Sequence, residues 1–152
     1  MAQKLFSHKV EVTPGAQPQT QWQARIPTNG RALLHAIAFM PVGATSASAP
    51  IKWDLGIQSA DGTLDTDDSA NLVKEIPAYS GSILTTLHIT PSVEPTTMTA
   101  HFWITLHQQA MFIWRPPTRN GFIIMDTGTR WGLRCLTSSP GFAIRYEFHM
   151  EE

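Results

Sequence analysis

Aspartates crowd one stretch of this chain: Asp54, Asp61, Asp65, Asp67 and Asp68. Carboxylates gathered in this way are hard oxygen ligands of the kind calcium takes. Their order departs from the D-x-[DN]-x-[DN]-G pattern of a calcium loop, and no glutamate stands at the closing position. The expectation is therefore a solvated loop whose aspartates cap their own turns, with no metal. Six histidines, His8, His35, His88, His101, His107 and His149, raise the question of zinc, but none are paired at the i, i+2 spacing that puts two imidazoles on one strand face. His101 and His107 share a parity, yet stand about 20 Å apart on an extended strand. A cross-strand pair of His88 and His101 is the remaining arrangement.

Five tryptophans offer stacking surfaces. Trp22, Trp53 and Trp131 fall on the apolar parity of their segments and belong to a core. Trp103 shares its parity with Thr99, His101, Thr105 and His107, opposite Phe102 and Ile104, and so turns outward. Trp114 stands beside Arg115 and the Pro116-Pro117 break. Trp103 and Trp114 are thus the candidate stacking residues for a sugar.

Arg130, Arg134 and Arg145 each alternate with core residues and project from an outer face. The guanidinium group suits bidentate contact with carboxylates. Between Arg115 and Arg145 the one acidic residue is Asp126, so the aspartate-rich and arginine-rich stretches read as two patches of opposite sign. Met head to tail between identical subunits, they would place Arg130, Arg134 and Arg145 against Asp61, Asp65, Asp67 and Asp68 and close a ring, with a trimer as the expectation. The alternative is a solvated face.

For catalysis the chain offers no local signature: no G-x-S-x-G elbow, no H-E-x-x-H, no P-loop and no G-x-G-x-x-G. Cys135 alternates in phase with Trp131 and Leu133 and reads as a buried thiol. As the single cysteine it forms no internal disulfide, which suits a reducing cytosol. A net charge of -1, from 11 basic and 12 acidic side chains, argues against a general nucleic-acid binder. Charged residues make up 15% of the chain, well below the roughly 25% of an ordinary soluble domain, so part of the surface is uncharged or covered by another chain. No apolar run is long enough for a signal peptide or a membrane helix, and the expectation is a protein neither exported nor membrane-bound.

What must position these residues is a set of strands. Ile51, Trp53, Leu55 and Ile57 alternate with polar or small neighbours, and the same period of two runs through Ile83–Ile89, Met98–Leu106 and Phe142–Met150. Further strands are expected at Lys4–Val12, Gln21–Ile26, Ala32–Met40, Leu72–Ile76, Met111–Arg115, Phe122–Met125 and Arg130–Thr137. Turn formers separate them, among them Pro27-Thr28-Asn29-Gly30, Pro116-Pro117, Asn120-Gly121 and Ser139-Pro140-Gly141. Ala32–Met40 is the segment where a helix competes, but its bounding Gly30 and Pro41 favour a strand. Residues 43–50, rich in Ala and Ser, read as a loop. The prediction is an all-β, antiparallel sandwich of jelly-roll type in a single domain, residues 1–152.

The run Ile51-Lys52-Trp53-Asp54-Leu55-Gly56-Ile57-Gln58 followed by Asp61-Gly62-Thr63-Leu64-Asp65-Thr66-Asp67-Asp68 resembles a segment of small jelly-roll proteins of tailed-phage virions. In those proteins a V-x-W-[DE]-[VL] strand leads into a D-G-D-x-[LY]-D loop. Trp114-Arg115-Pro116-Pro117, Gly132-Leu133-Arg134 and the closing hairpin to Glu151-Glu152 resemble their last strands. Thr63 departs from the loop pattern, which carries an acidic residue there. The resemblance implies a non-enzymatic virion part, a capsid decoration or cement protein that binds the major capsid protein on the shell, made in the host cytoplasm and often trimeric. The charge, the lack of a long apolar run and the absence of cofactor motifs set the further expectation of no cofactor, no nucleic-acid partner and no membrane. The alternative is a carbohydrate-binding module or the receptor-binding head of a tail fibre or spike.

Overall fold

The structure, a computed structural model, describes residues 4–15, 18–42, 50–61, 63, 66–75, 82–95, 97–107, 110–137 and 142–152. In chain order the elements are β1 (Leu5–Val12), β2 (Gln19–Arg25), β3 (Ala32–Val42), β4 (Pro50–Gln58), β5 (Thr66–Asp67), a 3-10 turn η1 (Ser69–Asn71), β6 (Leu72–Lys74), β7 (Thr86–Ile89), β8 (Met98–His107), β9 (Phe112–Trp114), β10 (Ile123–Met125), β11 (Arg130–Cys135) and β12 (Ala143–Glu151). Sheet A runs β10-β3-β12-β1-β6, with β9 also on β3, and sheet B runs β5-β7-β2-β11-β4-β8.

All the pairings are antiparallel, and they nest from the chain ends inward. β1 pairs with β12 and β2 with β11; β3 pairs with β9 and β10, and β4 with β8. Successive nested pairs alternate between the two sheets, so the chain is one long hairpin rolled up on itself, which is the jelly roll. The segment between β4 and β8 is an addition to that roll. Its β6 extends sheet A beyond β1, and its β7 and β5 extend sheet B beyond β2.

The period-two segments lie where alternation puts them. Along β12, Ile144, Tyr146, Phe148 and Met150 are buried while Arg145 points to water. Trp22 stacks on Phe148 across the two sheets, with centroids 4.0 Å apart, and the Trp53 indole N–H donates to the Tyr146 hydroxyl at 3.2 Å. Buried aromatic polar atoms of this kind are stable where they find a partner. Ala32–Val42 is a strand: its backbone is claimed on one side by β12 and on the other by β9 and β10. Between β10 and β11 the chain reverses at Gly128, whose φ of 68° lies in the left-handed region that a residue without Cβ enters freely.

Two elements differ from expectation. The strand expected from Ile83 begins at Thr86, because the Leu84 and Thr85 N–H groups donate to the Glu152 carboxylate, each at 2.9 Å, instead of joining the ladder. Inside the aspartate-rich stretch, Thr66 and Asp67 form the short β5 against Ile89 and His88. The loop expected over residues 43–50 lies outside the described residues up to residue 49, and Pro50 opens β4.

Candidate functional site

On the outer face of sheet B, β4 and β11 set Asp54 opposite Arg134 and Gly56 opposite Gly132. Arg134 donates to Asp54 through Nε at 3.1 Å and through Nη2 at 2.6 Å, a bidentate pair whose carboxylate is 4% exposed. The hydrogen bonds it donates to Asp54 make the guanidinium hold its proton more firmly than usual. Beside the two glycines a buried amide network runs across the sheet: Gln23 Nε2 donates to Gln58 Oε1 at 2.6 Å, and Gln58 Nε2 donates to Thr20 Oγ1 at 2.8 Å. The Thr20 N–H in turn donates to the Glu94 carboxylate at 2.8 Å, which ties the segment between β7 and β8 to this face. A buried polar cluster is tolerable where its members are satisfied in this way.

Both stretches of opposite charge meet here, within one chain. Arg25 and Arg130 hold Asp61 between them, Arg25 Nε at 3.1 Å and Arg130 in a short hydrogen bond. Partial burial opposes ionisation of Asp61, but the Arg130 hydrogen bond and the two arginine charges outweigh it and keep the carboxyl below its usual range. Asp67 accepts from the Ser69 N–H at 3.0 Å, and that hydrogen bond holds its carboxyl low. Asp68 accepts from Asn71 at 2.7 Å and meets His8 Nε2 at 2.7 Å. Arg145 lies on sheet A, with Nη2 2.7 Å from Glu11 across β1 and β12. Asp65 lies outside the described residues.

These contacts correct the reading of two patches of opposite sign held apart. Arg130 and Arg134 spend their charge on Asp61 and Asp54, and Arg145 on Glu11, because the antiparallel registers bring residues distant in sequence side by side. The described aspartates of that stretch, Asp61, Asp67 and Asp68, likewise spend their carboxylates on Arg25, Arg130, Ser69, Asn71 and His8. Among the described residues no group of three or more His, Cys, Asp or Glu is arranged to hold a metal. His88 sits opposite Gln23 on β7 and His101 lies on β8, with β2, β11 and β4 between them, so these two histidines form no cross-strand pair.

Of the two candidate stacking residues, Trp103 projects from β8 with 81% of its surface exposed. Trp114 is half-buried, its ring edge-on to Phe102 with centroids 5.5 Å apart, and closes the core between the sheets. The two therefore form no common platform.

A second surface carries exposed apolar side chains. On the outer face of sheet A, Ile113 lies opposite Ala38 and Ile124 opposite Leu33. Ile113 and Ile124 are 50% and 51% exposed, and Met111, just before β9, is 66% exposed. The signal in the sequence is that Met111–Trp114 and Phe122–Met125 are apolar on both parities, so that each strand has an apolar side left over once its inner side is buried. The β12 and β1 part of the same face carries ion pairs instead, Arg145 with Glu11 and Lys9 with Glu147, and a hydrogen bond between His149 and Glu75. No protein-family model matches this chain, and neither a curated protein nor a solved structure matches it.

Proposed function

We propose that the chain is a non-catalytic virion structural protein that docks on the outer shell of a tailed-phage capsid, as a decoration or cement protein, and adds buried area between major capsid protein subunits. The observation that carries this reading is the row of exposed apolar side chains, Met111, Ile113 and Ile124, along the β9 and β10 edge of sheet A, on the face whose β1 and β12 part carries ion pairs. Burying such a side chain completely contributes about 1.5–3 kcal/mol, so covering the half still exposed contributes about 1 kcal/mol each, and a chain that leaves several along one edge has a surface for another protein. The resemblance of the Ile51–Asp68 segment to small jelly-roll virion proteins supplies the kind of partner. A net charge of -1 does not favour phosphate neutralisation, so nucleic acid is not the partner proposed.

The test uses phage particles assembled without this chain and then incubated with it. The expected result is saturable co-sedimentation at a fixed stoichiometry, lost in the Ile113→Glu/Ile124→Glu variant. Absence of the chain from purified virions, together with no binding to the particles, would remove the reading.

A carbohydrate-binding role rests on Trp103, the most exposed of the large apolar side chains described. A glycan array decides it: hits lost on Trp103→Ala would establish sugar recognition and make the chain a receptor-binding component.

A further inference from the structure

The jelly roll leaves the sheets with lateral edges, and an open edge is a row of backbone N–H and C=O groups ready to pair with another strand. Among the described residues three of these edges are blunted. β5 has two residues and β6 three, and β9 and β10 have three each, interrupted by Pro116 and Pro117. β8 is different: it runs for ten residues, Met98–His107, with β4 as its neighbour in the sheet. It contains none of the Lys, Asp, Glu or Pro residues that usually guard an edge.

The backbone phase of β8 follows from the strand next to it. The Lys52 N–H donates to Thr137 Oγ1 at 2.8 Å and the Lys52 C=O accepts from the Leu136 N–H at 2.8 Å, so both backbone groups of Lys52 point towards β11. Thr105, opposite Lys52, is therefore a non-hydrogen-bonded partner whose own N–H and C=O point outward. By alternation the same holds for Trp103, while Ile104 between them bonds to β4. At the same edge the inward-facing Phe102 and Leu106 are half-buried, so the core is incompletely closed there.

We propose that this edge pairs antiparallel with β8 of a second copy of the chain, joining two copies of sheet B into one continuous sheet about a two-fold axis at Ile104. The occupant follows from length and charge. No other described edge of this molecule is long enough to cover β8, and a strand without Lys, Arg, Asp or Glu meets its own copy with no ammonium, guanidinium or carboxylate set opposite its like, His101 lying opposite His107 of the second copy. In this register Trp103 and Thr105 exchange both backbone hydrogen bonds with Thr105 and Trp103 of the second copy, and each indole lies across a threonine, an aromatic and β-branched pair of the kind that stabilises sheets. Phe102 meets Leu106 of the second copy on the inner side and completes the core. The contact uses the same strand on both copies, so it closes at the dimer and does not grow into a fibre. It is a two-fold in place of the three-fold expected from charge, and it stands independently of shell binding.

The test is sedimentation of the full chain. The expected result is a dimer at micromolar concentration and a monomer for Thr105→Pro, which removes an outward N–H that the monomer does not use. Far-UV spectra of the two should match; if Thr105→Pro fails to fold, the exposed-site variant Trp103→Lys/Thr105→Lys takes its place. The register is read from Trp103→Cys/Thr105→Cys, whose cysteines face each other across the axis with Cα atoms about 5.5 Å apart, within disulfide reach. It should cross-link on oxidation, whereas the single variants, a diagonal apart, should not. A monomeric wild-type chain, a dimer indifferent to these edge variants, or a dimer in which the double-cysteine variant fails to cross-link would overturn the proposal.

Discussion

Arg134 and Asp54 face each other across β11 and β4 through two parallel hydrogen bonds, with the carboxylate almost sealed from water. Removing Arg134 leaves the Asp54 carboxylate desolvated without its partner, whereas removing Asp54 leaves an Arg134 that is partly exposed and still feels the Glu94 charge. Arg134→Ala should destabilise the protein by about 3 kcal/mol and Asp54→Ala by less. Because the two share one interaction, the double variant should cost clearly less than the two single variants together. Urea denaturation of the four proteins checks this, and an additive double variant would show the pair to be uncoupled.

Gly56 and Gly132 lie side by side on the same face, and each is pressed by a different kind of neighbour. A Cβ on Gly56 would meet the Thr99 carbonyl oxygen at 2.1 Å and the Ala100 Cα at 2.8 Å, both backbone of β8. A Cβ on Gly132 would meet the Gln58 side chain at 2.4 Å, and Gln58 is held by Gln23 and Thr20. Overpacking of this kind costs about 1–3 kcal/mol, and more where backbone must move. Gly56→Ala should therefore lower the melting temperature further than Gly132→Ala, and should also weaken self-association by displacing β8.

His8 is sealed in the core, where burial lowers its pKa below 6.5, although the Asp68 hydrogen bond and charge oppose the shift. The folded protein therefore takes up this proton less readily than the unfolded chain. Stability linked to His8 is complete above pH 6.5, is lost progressively as the pH falls below it, and levels off once the pH is under the folded-state value. One such group contributes a slope of at most about 1.4 kcal/mol per pH unit. Melting temperatures at pH 7.5 and 5.5 should differ in the wild type, with a smaller acid-side slope in His8→Gln. Equal slopes would assign the acid sensitivity to other groups.

Cys135 is fully buried, and burial pushes its thiol up to about 11. The thiolate is the reactive form, so little of it is present near neutrality. A thiol reagent at pH 8 should leave the folded protein unmodified and react once denaturant is added. Stoichiometric labelling without denaturant would show that β11 opens under native conditions.

The alternation of apolar and polar residues was enough, without a structure, to place most strands and their inner sides. Trp22, Trp53, Trp131 and Cys135 are buried and Trp103 is exposed as their parities required, because side-chain direction in a strand is a local property with a period of two. The meeting of charges is not local. Arg130 reaches Asp61 over 69 residues, Arg134 reaches Asp54 over 80 and Arg145 reaches Glu11 over 134, and each contact depends on a register set when the hairpin rolls up. A stretch of like charge is therefore no guide to a patch of like charge. The position of β8 at the edge of the described sheet and the exposure of Ile113 and Ile124 are decided in the same way: a strand's own sequence says which side it buries, but its neighbours in the sheet are chosen by the topology of the whole chain.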